Sequence, residues 1–343
     1  MHAIQLRRSV AQLFAVLALA CAFPVTSDAA DPQLKIGSLV PKNSLYHRQL
    51  MEVGEAWKKS QPGSSRFNVF TDGSQGGEAE MVRRMRIGQL QAALLSVVGL
   101  REIEPSIAAL QNLPLAFRSW EELDYVREKM RPGMEKKFLD KGYVVLAWGD
   151  AGWVRFFSKQ AAFSPDDYKK MKFFAWGAEA EQQEIMKSMG YTPVPLEPTD
   201  ILPSIQTGMI NVVPSTPYFA LATQIYNTAP HMLEINWAPI VGAFVISKKS
   251  FDAMSPETQA VLKASADKAG SVIRIQARKE VEEAVDAMKK RGLQVNKPNA
   301  EQMKEWRAFT ETLYPRIRGK MVPAETFDEV FAHLKTYRAS KTP

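Results

Sequence analysis

Short apolar runs and amphipathic stretches take turns along this chain. Residues 34–39 read as a strand, followed by a helix over 45–59 that Ser44 can cap and that Pro62-Gly63 stops. Residues 67–70 read as a second strand. The run Gly73-Ser-Gln-Gly-Gly77 then turns into a helix over 78–86, and 91–97 reads as a third strand. This is the βαβ rhythm of an α/β sheet. Serine and glutamate three apart in Ser119-Trp-Glu-Glu122 form a capping box, which predicts a helix running to Met130. A separate helix over 134–141 is expected to end at Gly142 and lead into a strand over 143–148.

The pattern then starts again. Strands over 154–158 and 172–176, a helix over 178–189, a short helix near 200–207 and a strand over 209–213 make a second α/β unit. Together the two units exceed what one sheet comfortably carries, so the expected fold is α/β with two lobes. An apolar strand over 240–247 follows. The stretch 256–291 has no internal proline after Pro256, holds one glycine, Gly270, and can be capped by Ser255. A helix of that length would extend about 50 Å at 1.5 Å per residue. That is longer than one lobe, so the helix is predicted to brace both. Residues 300–337 are amphipathic and helical, with interruptions expected at Pro315 and Pro323. The domain reading is a leader over 1–30, a first lobe over 31–152 plus about 238–280, and a second over 153–237 plus about 281–335.

The leader changes the picture from fold to place. Arg7 and Arg8 precede an almost wholly apolar run over 10–25, and Ser27-Asp-Ala29 offers small residues where a signal peptidase reads. A membrane helix needs about 20 apolar residues; this run is shorter and contains Pro24. The expectation is a cleaved signal peptide and a periplasmic protein. Cys21 is the only cysteine, and Ala18-Leu-Ala20 before it fits a lipoprotein acylation site poorly. With no second thiol, stability must come from a packed core.

Charge narrows the function classes. Lys and Arg number 44 against 37 Asp and Glu, a formal net charge of +7, which is modest and spread over helices of alternating sign such as 274–291. No basic stripe interleaved with aromatics appears, so nucleic acid is not an expected partner. Beyond the leader the histidines are His47, His231 and His333. None lies four residues from another and no cysteine accompanies them, which leaves no zinc spacing and no thiol nucleophile. The chain has no Gly-x-Ser-x-Gly elbow, phosphate loop or dinucleotide fingerprint. No enzyme activity, cofactor or metal is expected.

Three strings in order carry a resemblance. Gly76-Gly-Glu-Ala-Glu-Met-Val-Arg-Arg-Met-Arg-Ile-Gly88, Leu113-Pro-Leu-Ala-Phe-Arg-Ser-Trp-Glu-Glu122 and Ile205-Gln-Thr-Gly-Met-Ile210 resemble the substrate-binding proteins of tripartite ATP-independent periplasmic (TRAP) transporters, the DctP family. The resemblance implies a two-lobed periplasmic binding protein that closes over a small organic ligand. It also implies delivery to a small and a large membrane subunit forming a permease driven by an ion gradient. Family members hold an organic acid with an arginine at the position that reads Phe174 here, and with a second arginine that Arg155 matches. The acidic and glycine positions after the Gln-Thr-Gly motif read Asn211, Val212 and Pro214, which weakens any case for a metal-bridged ligand.

The departure at Phe174 has a size. A hydrogen bond to a charged group contributes roughly 1.5–3 kcal/mol, and a guanidinium can make two to one carboxylate. Phenylalanine makes neither and offers apolar area at about 25 cal/mol per Å² instead. The expected ligand is therefore apolar or aromatic, with at most one acidic group for Arg155. Candidate ligand contacts are Arg155, Phe174, Trp176, Trp153, Ser215, Thr216, Tyr218 and Trp237, with Ser74 and Ser96 from the first lobe. Each has a plainer reading. A tryptophan is more often core than contact, Arg155 also suits an ion pair bracing the lobes, and Ser215 and Thr216 also suit a loop before a helix. Bending is expected near 148–153 and 237–240. Two further functions remain open at this point: a ligand receptor for a membrane sensor kinase, and a periplasmic enzyme.

Overall fold

A computed structural model describes residues 33–61 and 65–341. The leader with Cys21 and the helix stop at Pro62-Gly63 lie outside the described residues. Four strands open the fold: β1 (Gln33–Ser38), β2 (Arg66–Phe70), β3 (Ala92–Ser96) and β4 (Tyr143–Trp153). Then follow β5 (Arg155–Ser158), β6 (Lys172–Trp176), β7 (Thr192–Leu196), β8 (Val212–Ser215) and β9 (His231–Leu233), and finally β10 (Pro239–Ser247) and β11 (Gln294–Asn296).

They form two sheets. The first has the order β2-β1-β3-β10-β4 and the second β11-β9-β5-β8-β6-β7. In the first sheet β1 runs parallel to β2 and β3, while β10 is antiparallel to both β3 and β4. β10 thus returns from the second half of the chain to complete the first sheet. Only Val154 separates β4 from β5, so the chain passes there from one sheet to the other. The return passage lies alongside: Val154 N–H donates to Ala238 O at 2.8 Å and Trp237 N–H to Val154 O at 3.1 Å. The Ala238 crossing falls within 237–240 and Val154 directly follows 148–153, the segments named for bending.

Packing explains the layers. One face of the first sheet buries Leu34, Ile36, Phe244 and Ile246 against Leu50, Val53 and Trp57 of the helix Leu45–Lys59 and Leu262 and Ala266 of the helix Pro256–Lys289. The other face packs Leu95, Val241 and Val245 against the helices Glu78–Arg86 and Trp120–Asp140. In the second sheet Phe156 and Phe173 share a cluster with Tyr168, Tyr191 and Trp306, while Phe157 and Phe174 join Ile201, Ile205 and Met288. Alternation along a strand sends neighbours to opposite faces, and both faces of each sheet are covered.

The long helix has 34 residues. It packs on β4, on Leu45–Lys59 and on the helix Pro217–Ala222 that follows β8, and so touches elements of both sheets. Gly270 lets it lie directly on β4: a Cβ there would stand 2.7 Å from Trp148 O and 3.0 Å from Ala147 Cβ. No helix among the described residues is long and apolar enough to cross a membrane.

Three local expectations are corrected. The helices expected over 119–130 and 134–141 are one, Trp120–Asp140, running through Pro132. Leu123, Val126, Met130, Met134 and Phe138 make a continuous buried stripe, and Pro132 sits on the exposed side, where water can take the carbonyl it frees. The helix Ala300–Ile317 likewise continues through Pro315, and its break comes only after Ile317. β7 went unrecognised because Thr-Pro-Val-Pro-Leu carries two prolines. It forms the outer edge beside β6, where one side of the strand needs no ladder hydrogen bonds. The helix Ala324–Ala339 packs on Trp120–Asp140, with Arg338 Nε on Glu122 Oε1 at 2.8 Å. It therefore sits beside the first sheet, although it falls mostly within the stretch 281–335.

Candidate functional site

Strand ends and helix starts from both sheets converge on a cavity of about 360 Å³. Such ends are where open α/β sheets receive ligands, because loops and helix N-termini leave room and polar groups there. From the first half come Tyr46, Glu78, Ser96, Gln111 and Asn112. The second half supplies Phe174, Trp176, Glu179, Ser215, Thr216 and Tyr218, and Trp237 stands at the crossing.

The aromatic wall follows from strand geometry. Phe174 and Trp176, two apart on β6, share a face with ring centroids 5.5 Å apart. Phe173, just before them, packs on the other face, against Phe156 at 5.8 Å and Tyr191 at 5.7 Å. Tyr218 closes on Tyr46 edge to face at 6.0 Å, and Tyr46 donates its hydroxyl to Asp150 O at 3.1 Å. Burial first, and the nearby Asp150 charge second, push the Tyr46 phenol far above its ordinary range. It stays a neutral donor.

Three carboxylates line the same cavity: Asp150, which Arg127 and Arg278 hold, and Glu78 and Glu179. Glu78 opens the helix Glu78–Arg86 and is buried. Ser96 N–H donates to its Oε1 at 2.9 Å, and Ser96 Oγ and Gly99 N–H donate to Oε2 at 2.7 and 2.8 Å. Burial raises its pKa; the three hydrogen bonds oppose that rise, and the charge of Glu179 adds to it. Glu179, 2% exposed, precedes the helix Ala180–Ser188. Burial raises its pKa too, with the Arg101 charge and the adjacent Asn112 amide opposing. Arg101 Nη1 stands 3.5 Å from Glu179 Oε1, and Arg101 Nη2 3.1 Å from Glu181 Oε2. The arginine follows the short helix Val97–Leu100, so these contacts tie the first half to the second. Among the described residues no lysine, arginine or histidine lines the cavity.

Of the ten residues expected at the site, seven line the cavity: Phe174, Trp176, Ser215, Thr216, Tyr218, Trp237 and Ser96. Thr216 has a second task, since its Oγ1 caps the helix Pro217–Ala222 by accepting from Phe219 N–H at 3.3 Å. Arg155, Trp153 and Ser74 lie away from the wall. Arg155 is buried on β5 and turns to Glu234 and Glu282, each 3.6 Å away, so its ion-pair reading is the one the geometry follows. Trp153, at the end of β4, meets Trp120 with the rings tilted at 4.6 Å, next to Arg278, whose guanidinium covers the Trp120 ring at 4.5 Å. Arg278 and Arg127 in turn hold the buried Asp150, each at 2.6 Å, and Asp124. Ser74 is exposed in the turn before Glu78–Arg86.

Sequence reasoning missed Glu78, Glu179, Gln111 and Asn112. Glu78 sits inside the quoted Gly76-Gly-Glu string, where a carboxylate at a helix start was itself a visible clue. Glu179 and Asn112 carry no local mark. No group of three or more His, Cys, Asp or Glu that could hold a metal ion occurs among the described residues.

Comparison with known proteins adds three findings. The model of the family described as bacterial extracellular solute-binding protein, family 7 (DctP) matches residues 36–320. The 2,3-diketo-L-gulonate-binding periplasmic protein YiaO of Escherichia coli is 24% identical, over 87% of this chain and 89% of its own. The C4-dicarboxylate-binding periplasmic protein DctP of Rhodobacter capsulatus is 20% identical, over 95% of this chain and 98% of its own. Among solved structures, the sugar acid binding protein DctPAm of Advenella mimigardefordensis in complex with galactonate superposes with a TM-score of 0.82 at 18% identity, covering 89% of this chain and 99% of its own. A TRAP periplasmic solute-binding protein of Shewanella oneidensis with bound succinate gives 0.81 at 16% identity, covering 89% and 100%. At these identities the structural likeness establishes the fold.

Proposed function

The chain belongs to the bacterial extracellular solute-binding protein family 7, and from that premise we propose that it is a periplasmic receptor that closes over a small organic solute and hands it to a TRAP-type membrane permease. The relatives it matches along nearly their whole length are named for binding, and none of those reported above for catalysis. The leader over 1–30 supplies export. The two rigid bodies are the halves built on the two sheets, with the crossings at Val154 and Ala238 as the hinge.

The solute has an apolar or aromatic body and no carboxylate. One observation carries this: the wall offers rings and aliphatic side chains, three buried carboxylates, and no cationic side chain. An acid entering such a cavity would lose its water without gaining a positive partner, and burying an unpaired charge costs more than any apolar contact returns. An apolar body gains about 25 cal/mol for each Å² it buries. The relatives named for acids are thus expected to differ from this chain at the wall rather than in the fold.

Mass spectrometry of whatever small molecule copurifies with the gently isolated protein, followed by calorimetry with that compound, tests the reading. A neutral or cationic compound bound one to one without turnover supports it. Tight binding of succinate or a hexuronate, with no response to aromatic or apolar compounds, overturns it.

A further inference from the structure

The cavity does not end with the cleft between the two halves. Past Glu179 it continues between two helices, Ala180–Ser188 and Ala300–Ile317. Trp306, Phe309, Leu313 and Ile317 recur at the three- and four-residue spacing of one helix face, and all four line the space. From the first of them to the last the helix advances about 16 Å at 1.5 Å per residue. The stripe that meets them is Gln182, Ile185, Met186 and Met189, on Ala180–Ser188 and its C-cap. The cavity is therefore long rather than round. With 360 Å³ in all, a length of about 16 Å leaves a mean section on the order of 20 Å², one methylene chain wide at carbon contact distances of about 4 Å.

Polarity changes along that length. Gln111, Asn112, Glu179 and Gln182 stand at the cleft end, and beyond Gln182 the lining is aliphatic, thioether or ring. Tyr191 and Trp306 turn their polar atoms out of the arm: the tyrosine hydroxyl donates to Pro165 O at 2.9 Å and the indole N–H to Phe163 O at 2.7 Å. Leu313, Ile317 and Met321 are buried although they border the space. An enclosed apolar space of this kind excludes water and receives hydrocarbon. Met186, Met189 and Met321 add unbranched side chains that adapt to a flexible guest.

We propose, resting on the receptor reading above, that the solute is a linear aliphatic amphiphile: a neutral hydroxyl or carbonyl head in the cleft and a straight alkyl tail laid along Trp306, Phe309, Leu313 and Ile317. At about 1.25 Å per extended methylene, from the carbon–carbon bond and its near-tetrahedral angle, the arm takes about ten to twelve carbons. Trp306 packs with the second sheet, whereas Leu313 and Ile317 pack with the first. A long tail thus touches both halves and favours the closed form, which a short one reaches less well.

The test uses straight-chain primary alcohols from butanol to tetradecanol, with decanoate and succinate beside them, each below its solubility limit, read by calorimetry on the unaltered protein. One-to-one affinity is expected to rise about fourfold per methylene, to reach its limit at about twelve carbons and to rise no further. Leu313→Trp and Met189→Trp, which place a bulky ring in the arm, should each move that limit to shorter chains. If one variant fails to fold, the other and the alcohol series on the unaltered protein still decide. Affinity independent of chain length, or a limit that stays in place in the folded variants, overturns the tail assignment and leaves the apolar receptor standing. Decanoate binding tighter than decanol overturns the neutral head, and succinate binding tighter than every alcohol overturns the receptor reading as well.

Discussion

Arg101 Nη1 and Glu179 Oε1 stand 3.5 Å apart although 78 residues separate them in the chain, and their contact joins the first half of the molecule to the second. It acts as a latch at the edge of the cavity, reinforced by Glu181 on the same guanidinium. Nearby, the Glu197 carboxylate lies against the backbone of Gly77, so a side chain there would make this carboxylate swing aside.

Replacing Arg101 with alanine would leave Glu179 buried without its cation, at a cost of about 1–3 kcal/mol in the closed arrangement. Opening relieves that cost. Small-angle scattering of the ligand-free Arg101→Ala protein should report a larger radius of gyration than the parent, and an unchanged radius would show that the pair does not hold the halves together.

The buried carboxylates set opposite pH slopes in two windows. Glu78 and Glu179 have pKa values raised by burial above the ordinary 4.5, so the folded protein binds more protons than the unfolded chain just above that pH. Their contribution is fully present below 4.5 and is lost as pH rises through the raised values. Asp124 behaves the other way: burial works against its charge, but Arg278 and Arg127 outweigh burial and hold its pKa below 3.8. Its contribution is present above 3.8 and lost as pH falls through the depressed value. Urea unfolding of ligand-free protein should show stability falling from pH 4.5 upward and falling again below pH 3.8. Glu179→Gln should flatten the upper branch and leave the lower one alone.

Arg155 tests the division between support and site. Its partners Glu234 and Glu282 are 35% and 73% exposed in their side chains, so water screens the pair, and its Nε and Nη1 make no hydrogen bonds. Arg155→Met should change stability by about 1 kcal/mol or less and solute affinity by less than about twofold. A tenfold loss of affinity measured by calorimetry would mean that the side chain reaches the ligand.

Gly270 measures how closely the long helix lies on β4. Alanine there gains about 1 kcal/mol of helix propensity, but its Cβ meets the Trp148 carbonyl at 2.7 Å, a backbone atom that cannot turn aside. Overpacking of this kind costs about 1–3 kcal/mol. The net expectation for Gly270→Ala is a lower melting temperature, and a higher one would show that the helix shifts freely along the sheet.

The hydrophobic rhythm and the three ordered strings were enough to read an α/β chain of two units, a brace of about the observed length and a family. These features are local or linear: a capped start such as Ser255-Pro256, an apolar strand such as 240–247, a motif in sequence order. Where the linear pattern misled, a distant surface overruled it. Pro132 is carried inside a helix because residues on either side of it bury one stripe, and the prolines of β7 are tolerated because no strand follows at that edge. The composition of the cavity wall belongs to folding alone. Which way Arg155 turns, and that Glu78, Asn112 and Glu179 face one space, depends on segments brought together across both sheets, and a side chain's charge acts through distance in space rather than along the chain.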